Sequence, residues 1–461
     1  MDLVVDTTKW ESPKHKLPPR PQTPANQAEI SAQLDKLQAQ NIVRPSTAAF
    51  YSQVHLAEKP PKGSGKKRFC IDYILLNICT TVSDNWPLPN IQQMMRRLGQ
   101  HLPKYFAVFD LTAGYHQAPM SIAAIAFTAF ICFSGIYEYL RVPFGLKGAP
   151  SYFQRVMANV VLAGLIYTIC EVYIDDIIIH AQTADEFLIR IRKVFERIRK
   201  HGLVLHPKKA RIGLRSVEYT GHMIDSSGIS FSREKIQTLL DFPVPTTKKA
   251  LKSFLGLANY FRDHIRDHST VVATLQRYIN KYTKREGNKP ILLDEEGVQA
   301  FNAIKSRIEQ CPKLFFMNDT SPIVLLTDAS DYGIGGYLIQ VGTSPDGKDK
   351  EIPIAFMSAS LQGGQLNWET PQKECFAIYK AIMKFQYLLR DRHFTIKTDH
   401  KNITWLNNTD LSSIRKWKIF FSEFDYEFSY IKGEANVIAD TLSRLVANEK
   451  PQDSESLLLA T

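Results

Sequence analysis

The sequence predicts a multidomain protein of mixed α/β and α+β class, and two observations carry this prediction. The chain has 461 residues, of which 44% are hydrophobic and 22% are charged, so it can bury several cores at roughly 100–200 residues per domain. Segments with the alternating pattern of strands and segments with helical spacing follow one another along most of its length. Disorder, collagen-like repeats and a small disulfide-stabilised fold are therefore excluded.

The first two thirds of the chain begin with a proline-rich stretch and continue with short strands and helices. Residues 1–27 predict an extended leader, and residues 60–67, rich in Pro, Gly and Lys, predict a hairpin tip. Ile30, Leu34 and Leu37 have helical spacing. The predicted helices are Ala25–Gln40, Asn90–Leu98, Ser151–Leu162, Asp185–His201, Arg233–Phe242, Thr247–Arg262 and Glu295–Cys311, and the predicted strands are Gln53–Glu58, Arg68–Tyr73, Phe106–Leu111, Ile169–Tyr173 and Ile177–His180.

The last third has a different pattern of predicted elements, with long apolar strands around one long helix. Such alternation predicts a separate α/β unit, with a polar tail after residue 446. The predicted strands are Ile323–Leu326, Gly333–Gln340, Ile352–Met357 and Phe394–Thr398, and the predicted helices are Glu374–Leu389 and Ala435–Leu442.

Thiolate metal sites and membrane spans are both disfavoured. The six cysteines are scattered with no CxxC spacing, which is typical of a reducing compartment. Leu111–Tyr137 carries no formal charge, but its apolar centre, Ile122–Phe133, is too short to span a bilayer and predicts buried strands.

The positive charge is concentrated in one part of the chain. The net charge is +11, and residues 186–285 hold 21 Lys and Arg against eight Asp and Glu, so the rest of the chain is close to neutral. A basic excess of this kind is expected of a groove that binds a polyanion. A solvated helix face is the alternative interpretation.

Three carboxylates in the first two thirds predict a metal site. Asp175 and Asp176 lie between two apolar strands, where adjacent like charges are costly unless a divalent cation neutralises them. Asp110 ends another apolar strand and can meet this pair across a sheet. Two metals held by three carboxylates suit in-line phosphoryl transfer. The alternatives are an exposed Asp-Asp turn and a strand-end cap.

Four more acids in the last third lie at the ends of predicted elements or within the final helix. Any one of them alone would be interpreted as a surface residue, but together they can converge on two magnesium ions. They are Asp328, Glu374, Asp399 and Asp440.

Over residues 28–270 the order and spacing of these motifs resemble the polymerase of Ty3/gypsy-type LTR retrotransposons. That resemblance implies a right hand of fingers, palm and thumb. The matching blocks are Arg68–Tyr73 with Leu76-Asn77 and Trp86–Pro89 in the fingers, Phe109–Gln117 as motif A, Val142–Pro150 with Phe153-Gln154 as motif B, Tyr173–Asp176 as the Tyr-x-Asp-Asp box, Gly221–Ile229 as the primer grip and Phe254–Tyr260 in the thumb.

The resemblance also implies roles for individual residues. Asp110, Asp175 and Asp176 would be the catalytic, metal-binding triad. Tyr115 would be the steric gate that rejects a 2′-hydroxyl. Arg68, helped by Lys66 or Lys67, would contact the triphosphate. The remaining substrate-binding residues would be Phe144, Gly145, Lys147 and Tyr173, and the nucleic-acid-binding residues would be Lys208, Lys209, Arg211, Gly221, His222 and Met223.

In the last third the resemblance is to the ribonuclease H domain that follows reverse transcriptase in these elements. It makes Asp328, Glu374, Asp399 and Asp440 a second catalytic, metal-binding set, with His400 as a structural neighbour. Three residues depart from the family's usual pattern. Ile74 occupies a position where the family commonly has Arg, and Phe127 one where it has Lys, so both remove charge; Trp368 occupies a position where relatives often have Tyr.

The sequence is therefore interpreted as a piece of a retrotransposon polyprotein that copies RNA or DNA templates and degrades the RNA of the hybrid. The expected cofactor is Mg²⁺, two ions per active site, with Mn²⁺ as a substitute. The expected partners are an RNA template, a DNA primer, an RNA–DNA hybrid and dNTPs, with no membrane. We expect a monomer or homodimer, in cytoplasmic virus-like particles or the nucleus.

Two alternatives stay open. A pararetroviral polymerase shares both domains, although Leu255–Tyr260 and Asp328–Gly333 favour the retrotransposon. A domesticated, inactive nucleic-acid-binding protein would need only the basic groove. The expected domains are the leader (1–27), fingers and palm (28–215), primer grip and thumb (216–275), connection (276–318), ribonuclease H domain (319–446) and tail (447–461).

Overall fold

The computed structural model describes most of the chain, in two compact units. The described residues are 1–58, 67–81, 85–265, 268–280, 288–318, 320–331, 333–343, 349–398 and 412–430. The first unit is Met1–Thr220 and the second begins at Gly221. This division has a single boundary, so it does not test the six predicted domain ranges, which stay predictions. Among the described residues, no helix is long and apolar enough to cross a bilayer.

Among its described residues, the first unit contains three sheets with helices packed on them. β6, β9, β10 and β11 form an antiparallel sheet in the order β11-β6-β10-β9, and β2, β8, β7, β3 and β4 form a mixed sheet in which β3 and β7 are parallel. Its strands are β1 (Val4–Val5), β2 (Val43–Pro45), β3 (Ser52–Glu58), β4 (Lys67–Asp72), β5 (Thr80–Thr81), β6 (Tyr105–Asp110), β7 (Phe130–Cys132), β8 (Gly135–Tyr139), β9 (Cys170–Tyr173), β10 (Asp176–Ala181), β11 (Arg211–Leu214) and β12 (Ser216–Tyr219). Its helices are α1 (Thr7–Trp10), α2 (Pro24–Ala39), α3 (Ile74–Cys79), α4 (Ile91–Gln100), α5 (Ile122–Ile125), α6 (Ala149–Val156) and α7 (Ala184–Lys200).

Local sequence explains the longest helix of this unit. The Thr183 side chain accepts a hydrogen bond from the Glu186 backbone N–H, and Asp185 and Glu186 lie in the first turn of α7. Basic residues fill its last turn, and Gly202, with φ of +66°, follows its end. Acids at the start and bases at the end both complement the helix dipole. The buried face of α7 joins the main core of the unit.

Two predictions for the first unit are corrected by the structure. The segment expected as an extended leader packs onto this unit: β1 pairs with β5, and Trp10 is buried in the core. The helix expected over Ser151–Leu162 begins earlier, at Ala149, and ends in the π-helical turn Met157–Val161. Proline in the first turn of α6 is compatible with a helix because that position needs no N–H partner.

The second unit contains a helical group, the strands of a small antiparallel sheet and a five-stranded mixed sheet. The sheet has the order β18-β17-β16-β19-β20, with antiparallel pairs up to β16 and parallel pairs beyond it. Its helices are α8 (Arg233–Leu240), α9 (Lys248–Asn259), α10 (His268–Asn280), α11 (Glu295–Glu309), α12 (Thr370–Leu389) and α13 (Ser412–Phe421). Its strands are β13 (His222–Asp225), β14 (Gly228–Ser230), β15 (Leu314–Phe315), β16 (Ile323–Ala329), β17 (Gly333–Thr343), β18 (Asp349–Ser360), β19 (Phe394–Thr398) and β20 (Tyr426–Tyr430).

The hydrophobic packing explains both parts of this unit. Helices α8 to α11 share one core, and α12 packs with α13 on the sheet in another. The helix predicted over Thr247–Arg262 ends at Asn259 and is followed by a 3-10 turn at Arg262–His264. The predicted helix Ala435–Leu442 lies outside the described residues.

Candidate active sites

Three acidic residues lie at one end of the four-stranded sheet. Asp110 is the last residue of β6, and it is directly opposite Asp176, the first residue of β10. Asp175 lies in the two-residue turn between β9 and β10, because Tyr173 pairs with Asp176. Strand pairing thus places the three acids that the sequence predicts as metal ligands at the same end of this sheet.

The three carboxylates create excess negative charge in a partly buried site. Burial raises the pKa of Asp175, and the charge of Asp110 adds to the effect. Burial also raises the pKa of Asp176 to about 6, with further contributions from the charges of Asp175 and Asp110. The Lys209 ammonium donates a hydrogen bond to Oδ2 of Asp110 and opposes both shifts. One lysine therefore neutralises only part of the charge.

This donor set fits a hard divalent cation. Carboxylate oxygens are the ligands that Mg²⁺ prefers, and the ammonium of Lys209 marks a position where positive charge is favourable. Among the described residues, no three His, Cys, Asp or Glu side chains lie close enough together to hold a metal as they stand. Asp110 is instead bonded to Lys209, a contact that the sequence did not predict.

A buried glutamine supports the turn that carries Asp175. Ile174 has φ of +58°, which is a strained conformation for a β-branched residue. Its backbone N–H donates to Oε1 of Gln154 at 2.7 Å, and the Gln154 amide donates to the Val172 carbonyl at 3.2 Å. Gln154 is fully buried on α6. Gln154 belongs to motif B, but the sequence alone indicates no role for its side chain.

We expect Gln154→Met to lower the rate of DNA synthesis more than it raises the KM for dNTP. Methionine keeps the volume but leaves the Ile174 N–H and the Val172 carbonyl without their partner, at a cost of about 1–3 kcal/mol per buried group. The turn carrying Asp175 then loses its support. Steady-state kinetics and thermal unfolding measure both effects. Gln93→Met, on the exposed face of α4, is the matched control, and equal kinetics for the two variants would contradict the role.

The predicted steric gate lies next to the acids. Tyr115 is on the 3-10 turn Gly114–Gln117. The centroid of its ring lies 5.1 Å from the ring centroid of Phe144 and 5.4 Å from that of Phe153. Burial raises the pKa of Tyr115 to about 12, with a smaller contribution from the charge of Asp175. A Cβ at Gly114 would lie 3.1 Å from the Cβ of Asp175, so glycine allows this turn to approach the acid.

The other predicted nucleotide-binding residues lie on one loop, at the end of β9 (Tyr173) and on a second sheet. Phe144 is exposed, and Gly145 has φ of +99°, which favours glycine. The Asn77 side chain holds this loop by donating to the Gly145 carbonyl and accepting from the Lys147 N–H, both at 2.8 Å. Arg68 is exposed on β4, in a different sheet from the acids, and Lys66 lies outside the described residues.

The predicted nucleic-acid-binding residues fall in both units. Lys208, Lys209 and Arg211 are exposed near the edge strand β11 of the first unit. Gly221, His222 and Met223 begin the second unit. Nδ1 of His222 is 3.2 Å from the Tyr260 hydroxyl, and a Cβ at Gly221 would collide with this hydroxyl and with the Lys235 ammonium.

Two of the four predicted ribonuclease acids are described, and they lie together. Asp328 is buried near the end of β16, and Oε1 of Glu374 on α12 accepts a hydrogen bond from the next backbone N–H, that of Ala329, at 3.1 Å. Gly336 lets α12 approach, since a Cβ there would lie 3.1 Å from that of Ala381. Asp399, His400 and Asp440 lie outside the described residues.

Each unit thus contains acidic residues that its strands and helices place near one another. Two family models match the chain: "Reverse transcriptase (RNA-dependent DNA polymerase)" over residues 59–224, and "RNase H-like domain found in reverse transcriptase" over residues 318–424. These matches confirm the predicted domain content, a reverse transcriptase domain followed by a ribonuclease H-like domain.

Curated relatives are polyproteins of transposons. The Pol polyprotein of transposon opus from Drosophila melanogaster is 35% identical over 427 residues, 90% of this chain and 42% of the relative. The Pol polyprotein of transposon gypsy, also from Drosophila melanogaster, is 30% identical over 440 residues, which are 93% of this chain and 41% of the relative. The Tf2-3 polyprotein of Schizosaccharomyces pombe is 30% identical over 455 residues, which are 96% of this chain and 33% of the relative. The chain therefore spans about two fifths or less of these relatives.

Solved structures confirm the fold. Foamy viral protease-reverse transcriptase in complex with an RNA/DNA hybrid has a TM-score of 0.73 at 22% identity, over 97% of this chain and 58% of that one. The same protein in complex with dsDNA has a TM-score of 0.72 at 22% identity, and the match covers 90% of this chain and 86% of that one. The prediction of a right-hand polymerase followed by an RNase H-like domain is thereby confirmed.

Proposed function

We propose that this chain copies an RNA template into DNA, also accepts DNA templates, and degrades the RNA strand of the resulting hybrid. The observation that carries the proposal is the pairing of Asp110 with Asp176 across β6 and β10, with Asp175 in the adjoining turn. The polyprotein relatives support a Ty3/gypsy-type LTR retrotransposon as its source.

In the polymerase centre, Asp110, Asp175 and Asp176 would hold two Mg²⁺ ions, or Mn²⁺ in their place. When bound, the metal activates the attacking hydroxyl and neutralises charge on the triphosphate. The strand pairing fixes the carboxylates relative to one another, and Gln154 orients the turn between them. Phe144, Gly145, Lys147, Tyr173 and Arg68 would border the incoming nucleotide.

In the ribonuclease centre, Asp328 and Glu374 would be metal ligands together with Asp399 and Asp440. Asp328 on β16 and Glu374 on α12 are both buried, so a divalent cation is a favourable counter-charge for them. We further propose RNA template, DNA primer, hybrid and dNTPs as partners, a monomer or homodimer, and a location in cytoplasmic virus-like particles or the nucleus.

Tyr115→Ala is expected to relax discrimination against ribonucleotides and to reduce overall efficiency. The ring packs between Phe144 and Phe153 next to Asp175, where its bulk would exclude a 2′-hydroxyl. The ratio of kcat/KM for dNTP and rNTP measures the effect. Tyr115→Phe keeps the ring and should keep the parental ratio. An unchanged ratio in Tyr115→Ala would make Tyr115 a packing residue only.

Neutralising Lys208 and Arg211 together should weaken template–primer binding for any sequence. Each lost phosphate contact should reduce the slope of log K against log salt by about 0.9, because fewer counterions are released. Lys209 is left intact because it contacts Asp110. Neutralising Lys14 and Lys36, exposed lysines outside the basic stretch, is the control. A parental slope would mean that Lys208 and Arg211 are only solvated charges.

The proposal as a whole is tested by primer extension. The purified protein, given a DNA primer on an RNA template, dNTPs and Mg²⁺, should extend the primer, and a chelator should stop extension. Tight binding of the primed template without any extension would instead favour the inactive nucleic-acid-binding protein.

A further inference from the structure

The backbone carbonyls of the three polymerase acids all accept hydrogen bonds within the first unit. The Asp110 carbonyl accepts from the His206 N–H at 2.8 Å, and the Asp175 carbonyl accepts from the Leu111 N–H at 3.3 Å. Both donors are backbone groups, which every residue except proline can supply. Two of the three acids are therefore held by contacts that do not depend on the identity of a side chain.

The third carbonyl has a side-chain donor. The Tyr219 hydroxyl donates to the Asp176 carbonyl at 3.2 Å. Tyr219 is the last residue of β12, and its side chain is fully buried. Burial raises the pKa of this hydroxyl, and the charge of Asp176 adds to the effect, so the group stays protonated and remains a donor. Phenylalanine would fill the same space without this hydrogen bond.

A buried ion pair lies close to Tyr219. Arg97 on α4 donates two hydrogen bonds to the Glu171 carboxylate on β9, at 2.7 and 2.8 Å. Glu171 is near enough for its charge to raise the pKa of Tyr219 further. Because the phenol is enclosed by the fold, its hydroxyl has a fixed direction toward Asp176.

The turn between β9 and β10 is thus supported on both sides. Gln154 on α6 accepts from the Ile174 N–H at its start, and Tyr219 on β12 donates to the Asp176 carbonyl at its end. We propose that Tyr219 is a positioning residue for DNA synthesis, whose hydroxyl fixes Asp176 in its place opposite Asp110. The inference rests on the proposed function.

Tyr219→Phe tests the inference, because it removes the hydroxyl and keeps the ring. We expect kcat for primer extension to fall about fivefold or more, while KM for dNTP and Kd for the primed template stay within about twofold of the parent, since a loosened acid affects the reaction more than binding. Amide hydrogen exchange over residues 173–177 should become several-fold faster. A role in packing alone would lower thermal stability and leave kcat at the parental value.

Tyr105→Phe is the matched control. Tyr105 begins β6, at the end of the strand opposite Asp110, and its hydroxyl accepts a hydrogen bond from Arg215 at 3.0 Å. This variant should keep the parental kcat and the parental exchange over residues 173–177, and thermal unfolding establishes that both variants are folded.

The outcomes separate the inference from the proposed function. A folded Tyr219→Phe protein that behaves like Tyr105→Phe, or that changes only KM or Kd, overturns the positioning role. A parent that extends no primer contradicts the proposed function instead.

Discussion

Asp175→Asn is expected to lower the rate of DNA synthesis by about 10³-fold or more, because metal charge stabilisation is worth several kcal/mol. Asparagine has nearly the same size, so the Gln154 contacts of the turn should survive. Cleavage of RNA in a preformed hybrid should stay within a few-fold of the parent, since Asp328 and Glu374 belong to a unit with its own core. Primer extension and hybrid cleavage are the two measurements.

The matched control for this prediction is Asp185→Asn. Asp185 is exposed in the first turn of α7 and should lose only a small helix-dipole interaction. Retained polymerisation in a folded Asp175→Asn protein would remove Asp175 from the proposed triad.

Glu374→Gln should abolish cleavage of the RNA strand of a hybrid and leave primer extension within a few-fold of the parent. Gln keeps an oxygen that can accept the bond from the Ala329 N–H, so α12 should stay docked. The change removes only the negative charge that would hold a cation next to Asp328. Both activities are measured on the same preparation.

Glu369→Gln is the control for Glu374. Glu369 is exposed at the start of the same helix and makes no capping hydrogen bond with its side chain. Hybrid cleavage that persists in Glu374→Gln would mean that the ribonuclease site is misassigned.

Much of the fold was predictable because local sequence and packing agree. The apolar strands around Asp175 and Asp176 predict burial in a sheet, and β6, which ends at Asp110, is the strand that pairs with β10. Thr183, the acids after it and Gly202 likewise mark the ends of α7. In such places the residues that start, stop and bury an element are neighbours in the chain.

The rest depends on contacts between segments far apart in sequence. Nothing near Gln154 in the chain shows that its amide would meet Ile174, and nothing near Lys209 shows that its ammonium would meet Asp110. The strands of residues 211–230 and β15 were not predicted, because they are two to four residues long and their partners lie outside the local pattern. Gly228 lies in the motif Gly221–Ile229, but the Leu314 carbonyl that requires a glycine there is remote in the sequence and could not be foreseen.

The central claim is that one chain holds two separate catalytic centres. It is tested most directly by following both activities at once, on one primed RNA template with dNTPs and Mg²⁺, in the parent, Asp175→Asn and Glu374→Gln. The account predicts that the parent extends the primer and cuts the RNA, that Asp175→Asn only cuts, and that Glu374→Gln only extends. Loss of both activities in either folded variant, or of neither, would contradict it.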